Sequence, residues 1–140
     1  MAPPRSDHRY DPDAGPEPSA WLELDRGERI DAVRAWRRRE GVEVSNERMF
    51  AAMLATAETQ VARGDEMPVA ATLRRLMDQG MTRREAIHAI TTILAETTYD
   101  AFYGETSPSD PNAAYFTELE HLTPESWRTR FDDDVTFPVF

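Results

Sequence analysis

Apolar residues recur at helical spacing through most of this chain, and the clearest run is Thr82 to Tyr103. At about 100° per residue, Ile87, Ile90 and Leu94 fall on one stripe, with Ala86, Ile93 and Ala101 beside them. No Gly or Pro interrupts the run before Gly104, and Thr82 with Glu85 fits a capping box at its start. Glu85, His88, Thr92, Glu96, Tyr99 and Tyr103 fall on the opposite face. Two tyrosines there predict a half-covered second face, which makes this a central helix.

The same reading along the chain predicts a helix over 26–40 that stops at Gly41, with Ile30, Val33 and Trp36 inward. A second starts at Ser45 or Asn46 and ends at Gly64, burying Met49, Phe50, Met53, Leu54, Ala57 and Val61. Gln60 lies near that apolar side and needs a partner if buried. A third begins at Pro68, turns Val69, Leu73, Leu76 and Met77 inward, and ends at Gly80. Asp110-Pro111 and Thr123-Pro124 open two short helices after the central one. Their rings Tyr115, Phe116, Trp127 and Phe131 are the natural cover for the second face of the central helix. There is no repeat and no alternating strand pattern. The expected fold is all-α: a small bundle of four main helices plus one or two short C-terminal ones.

Prolines crowd residues 1–20 with little that could pack, which predicts a disordered arm. Residues 21–131 form the expected single domain and 132–140 an acidic, irregular tail. At 140 residues the chain has room for one core. It has no membrane-length apolar run and no apolar leader at its N-terminus, so a soluble cytoplasmic protein is expected.

Composition narrows the chemistry. A net charge of −10 argues against nucleic acid or an anionic membrane as partner. All sixteen basic residues are arginine, as a GC-rich coding sequence explains, so lysine chemistry is absent. There is no cysteine either, hence no thiol nucleophile or thiolate ligand. The cluster Arg34, Arg37, Arg38 and Arg39 suits charge pairing near a helix C-terminus. It also suits an acidic partner. No Gly-x-Ser-x-Gly turn or Gly-rich phosphate loop is present.

One spacing does suit a ligand. Glu85 and His88 stand three apart on one helix face, as in metal sites of helical bundles. Glu96 shares that stripe, and Glu58 can approach from the second helix. Glu58, Glu85, His88 and Glu96 are therefore the candidate set for a divalent metal. The capping box accounts for Glu85 equally well, and a polar helix face accounts for His88. A tetrahedral zinc site wants three or four His, Cys or carboxylate ligands, and only His88 and His121 are available in the folded part.

The segments NERMFAAMLATAETQ, MPVAATLRRLMDQG and RREAIHAITTILAE resemble a family of small bacterial helical proteins of unassigned function. The resemblance covers about 46–100. In that family the last segment commonly reads His-Glu-Ala-x-His, and histidines often stand where this chain has Phe50 and Leu54. The resemblance thus implies a metal site in relatives, shaped like the two-histidine helix of zinc proteases. Here Arg84 replaces the first histidine of the motif, leaving Glu58, Gln60, Glu85 and His88, and an arginine repels a cation. Two expectations follow. One is a non-enzymatic module that works through a protein partner or self-association, with no cofactor. The other is a scaffold, metal-binding now or formerly, centred on Glu85 and His88 and possibly hydrolytic in relatives.

Overall fold

The computed structural model describes residues 9–41, 46–104 and 110–132, with the side chains of Pro111, Phe131 and Asp132 excepted. It is all-helical over those residues. In order come α1 (Pro18–Glu23), α2 (Arg26–Glu40), α3 (Glu47–Ala62), a single 3₁₀ turn at Gly64–Glu66, α4 (Val69–Asp78), α5 (Arg83–Tyr103), α6 (Pro111–His121) and α7 (Pro124–Asp132).

The caps explain most boundaries. Asn46 accepts from the Met49 N–H at 3.2 Å, and Asp110 accepts from Asn112 at 3.0 Å. Gly41 and Gly80 end α2 and α4 with φ of +67° and +105°, values that side chains other than glycine resist. At Thr82 only half of the expected box forms. Thr82 accepts from the Glu85 N–H, whereas the Glu85 carboxylate turns to Arg128 at 3.4 Å. The full capping box lies instead at Asp25 and Glu28, at the start of α2.

Helix α5 is central. Ala86, Ile87 and every residue from Ala89 to Leu94 are buried, so the helix is enclosed all round over 89–94, while His88 stays exposed. It packs on α3, α4 and α6. The fully buried alanines Ala57, Ala86 and Ala89 suit a close approach of helices, having no side chain beyond Cβ. Thr91 and Thr92 enter this apolar setting because each hydroxyl donates to the carbonyl four residues back, at 2.7 and 3.0 Å. The second face is covered only in part: Trp127 of α7 is buried and lies 6.0 Å from His88, centroid to centroid, whereas Tyr99 and Tyr103, expected to be half covered, are 62 and 75% exposed. Tyr115 of α6 is buried and donates to Gln60 at 2.7 Å, the partner that Gln60 required. Arg75 of α4 donates to the Leu119 and Leu122 carbonyls, both at 2.9 Å, which ties α4 to the C-terminal end of α6.

Two expectations are corrected. Met49 and Met77, assigned inward, are 43 and 40% exposed. Their stripes are wider than the contact each helix makes. The larger correction concerns the N-terminal arm. Residues 1–8 lie outside the described residues, but 9–20 are not a free arm. Tyr10 is 1% exposed and Pro12 is fully buried, and α1 begins at Pro18 with Glu17 as its cap. Proline density argues against regular hydrogen bonding but not against burial of an extended strap. Most of the tail 132–140 also lies outside the described residues.

Candidate functional site

Glu58 of α3 is a fully buried carboxylate. Arg83, at the start of α5, grips it with two donors at 2.7 and 2.9 Å, and the Tyr10 hydroxyl donates to it at 2.6 Å. Arg83 also donates to the Pro12 carbonyl at 2.9 Å. Burial alone would lower the Arg83 pKa, but hydrogen bonds and charge from Glu58 outweigh it, and the net shift is upward. Burial first, then the Glu58 charge, push the Tyr10 hydroxyl well above its ordinary range. The Tyr10 ring sits 5.8 Å from both Trp21 and Trp36. Gly15 holds φ of +77°, and a Cβ there would fall on the Arg83 guanidinium, so the strap needs glycine at this point. Around this hub Arg39 donates to the Tyr10 carbonyl at 2.8 Å, and Arg84 pairs with Asp13 at 2.8 Å.

The four metal candidates are therefore not brought to one point. Glu58 is committed to Tyr10 and Arg83. Glu85 faces Arg128, and Glu96 pairs with Arg130 at 2.7 Å. His88 lies between the rings of Phe50 and Trp127 at 6.2 and 6.0 Å. It is exposed to solvent at one edge, yet enough neighbouring atoms crowd its ring that desolvation holds its pKa below the ordinary value. Among the described residues no group of three or more His, Cys, Asp or Glu is placed to hold an ion. The motif spacing does place Glu85 and His88 three apart on α5. It did not foresee that arginines from three other positions would claim the carboxylates.

The arginine cluster of α2 is also put to structural use. Arg34 and Arg37 both reach Glu47, at 3.0 and 3.1 Å, and their hydrogen bonds hold its carboxyl below the usual range.

Two surface features stand out among the described residues. The last turn of α5 carries Tyr99, Phe102 and Tyr103 at 62, 77 and 75% exposure. Their rings associate with one another, at 5.0 Å for Tyr99–Tyr103 and 6.4 Å for Phe102–Tyr103. Next to them a cleft of about 400 Å³ runs between α5, α6 and α7, lined by Ile93, Glu96, Thr97, Asp100, Ala114, Glu118 and Arg130. Arg130 is taken by Glu96, and Asp100 and Glu118 have no cationic partner among the described residues. The second feature is a cleft between α2 and α3 with arginines on its rim. Sequence reading missed both. The tyrosines stand on the face expected to be covered, and the rim arginines come together from the start of α2 and the end of α3. No helix among the described residues is long and apolar enough to cross a membrane. Compared with known proteins, the chain has no significant match to a family model, a curated protein or a solved structure.

Proposed function

We propose that this chain is a non-enzymatic protein-interaction module of the cytoplasm that docks another polypeptide on the aromatic end of α5. The exposed cluster Tyr99, Phe102 and Tyr103 carries this reading. At roughly 200 Å² for a whole aromatic residue, the exposures of 62, 77 and 75% leave about 430 Å² of these three residues uncovered among the described residues. That equals the largest apolar patch of an ordinary monomer and is about half of what one partner buries in a standard interface. A core of three rings rimmed by polar groups is also the usual anatomy of a contact surface.

The neighbouring cleft supports a basic partner. Asp100 and Glu118 favour a cationic residue set beside large apolar ones. A chain of net charge −10 repels its own copy at long range, which favours a basic partner over self-association.

The test is fluorescence-detected sedimentation in extract of the cells that make the protein. An amine-reactive dye labels few points because the chain has no lysine. The labelled protein is expected to sediment faster in extract than in buffer, and the Phe102→Ser, Tyr103→Ser variant to sediment as the free chain in both. Equal behaviour of the two proteins in extract would refute the reading. Faster sedimentation of the pure protein as its concentration rises would make the partner a second copy.

A further inference from the structure

We propose that the cleft between α2 and α3 binds a small organic anion: one phosphate or carboxylate group on a short apolar body. This site is separate from the α5 surface and stands or falls independently of it.

The cleft has a volume of about 220 Å³ and is lined by Arg26, Arg29, Ile30, Ala52, Ala55, Thr56, Thr59 and Arg63. Three of these eight are arginine and none is Asp or Glu, on a chain that carries ten more negative than positive charges. Arg26 and Arg29 stand three apart on α2, so their side chains leave the same face. Arg63 follows the last residue of α3 and closes the cleft from the other side.

Each arginine differs in what else explains it. Arg29 donates through Nε to the Trp21 carbonyl and through one terminal nitrogen to the Leu22 carbonyl, both at 3.0 Å. Those bonds fix the guanidinium at the rim, and its other terminal nitrogen has no partner among the described residues. Arg63 stands at a helix C-terminus, where a cation is favoured by the dipole. Arg26 is the reverse case. It occupies the first turn of α2, where the dipole disfavours a cation, and it has no ion pair among the described residues. An anion in the cleft supplies the missing counter-charge.

The floor sets the rest of the ligand. Ala52 and Ala55 are small and leave the space, while Ile30 gives it an apolar wall. The threonines are not donors to the ligand. The Thr56 hydroxyl donates to the Ala52 carbonyl at 2.7 Å, and Thr59 donates to Ala55 at 2.8 Å while accepting from the Trp21 indole at 3.1 Å. Guanidinium forks at the rim and carbon below suit an anion with a small hydrophobic body, not a bare ion. The volume is below that of pockets for drug-sized molecules, so the body is short.

The experiment is calorimetric titration of the full chain with phenyl phosphate, benzoate and inorganic phosphate. Saturable one-to-one binding is expected for phenyl phosphate or benzoate, tighter than for inorganic phosphate. The Arg26→Gln, Arg63→Gln variant is expected to lose about tenfold or more in affinity, the loss of charge-assisted bonds to one anion. Both residues are exposed and the variant keeps Arg29, so its unfolding midpoint stays close to wild type. Arg38→Gln, an exposed arginine outside the cleft, is expected to bind as wild type. No saturable binding of any probe, or equal binding by all three proteins, would overturn the proposal. Inorganic phosphate binding as tightly as phenyl phosphate would overturn the apolar part of it.

Discussion

Tyr10→Ala tests whether the strap before α1 belongs to the core. The wild-type ring is 1% exposed between Trp21 and Trp36, and its hydroxyl donates to the buried Glu58 carboxylate at 2.6 Å. Truncating a large buried ring costs about 3–5 kcal/mol, and a hydrogen bond to a charged group about 1.5–3 kcal/mol. The two losses overlap, because Arg83 keeps both of its bonds to Glu58. The expected destabilisation is about 4–6 kcal/mol. Tyr10→Phe removes only the hydroxyl and is expected to cost about 1.5–3 kcal/mol. Urea unfolding at neutral pH, followed by the fluorescence of the flanking tryptophans, measures both. If Tyr10→Ala costs under about 1 kcal/mol, within reach of ordinary surface changes, the strap is not packed and the Glu58 hub is misread. Glu58→Gln combined with Tyr10→Phe is expected to be less than additive, since both remove one interaction.

Three other outcomes are expected. Ile90→Ala should cost about 2–4 kcal/mol in urea unfolding, as Ile90 is fully buried on α5, while Arg38→Ala should stay within about 0.5 kcal/mol. The depressed pKa of His88 means that the unfolded chain binds its proton first, so stability falls as pH drops below about 6.5 and continues falling to the lower native value. His88→Gln should flatten that slope between neutral pH and the carboxylate range, and an unchanged slope would place the titration elsewhere. Elemental analysis of untagged protein is expected to find no stoichiometric transition metal, because arginines hold the carboxylates of Glu58, Glu85 and Glu96. Near-stoichiometric zinc, iron or manganese lost in His88→Ala would restore the metal reading.

Helix content was legible because it rests on local signals. Asn46, Asp110 and Thr123 cap where their side chains suit a cap, and Gly41 and Gly80 stop helices where only glycine tolerates the backbone. The central place of α5 was legible from its long uninterrupted apolar stripe, although the tyrosines expected to mark a covered second face are exposed. What escaped was long-range. Tyr10 reaches Glu58 across 48 residues of sequence, and Arg83 meets the same carboxylate from a third element. Periodicity holds no record of such a meeting. The strap was misjudged because proline-rich sequence looks the same whether it is solvated or laid into a groove. Tyr99 and Tyr103 are exposed because, among the described residues, no helix covers the end of α5, and stripe geometry says nothing about where a neighbour ends. The half-used capping box at Glu85 has the same origin, since Arg128 arrives from α7.

Photo-cross-linking from position 102 tests the proposed docking surface most directly. p-Benzoylphenylalanine replaces Phe102 in one protein and the exposed Arg38 in another, and both are irradiated in the cells that make them. A discrete adduct with one polypeptide is expected from position 102 and none from position 38, and mass spectrometry of that adduct identifies the occupant. No adduct from position 102, or the same set of products from both positions, would contradict the claim that the aromatic end of α5 is a contact surface.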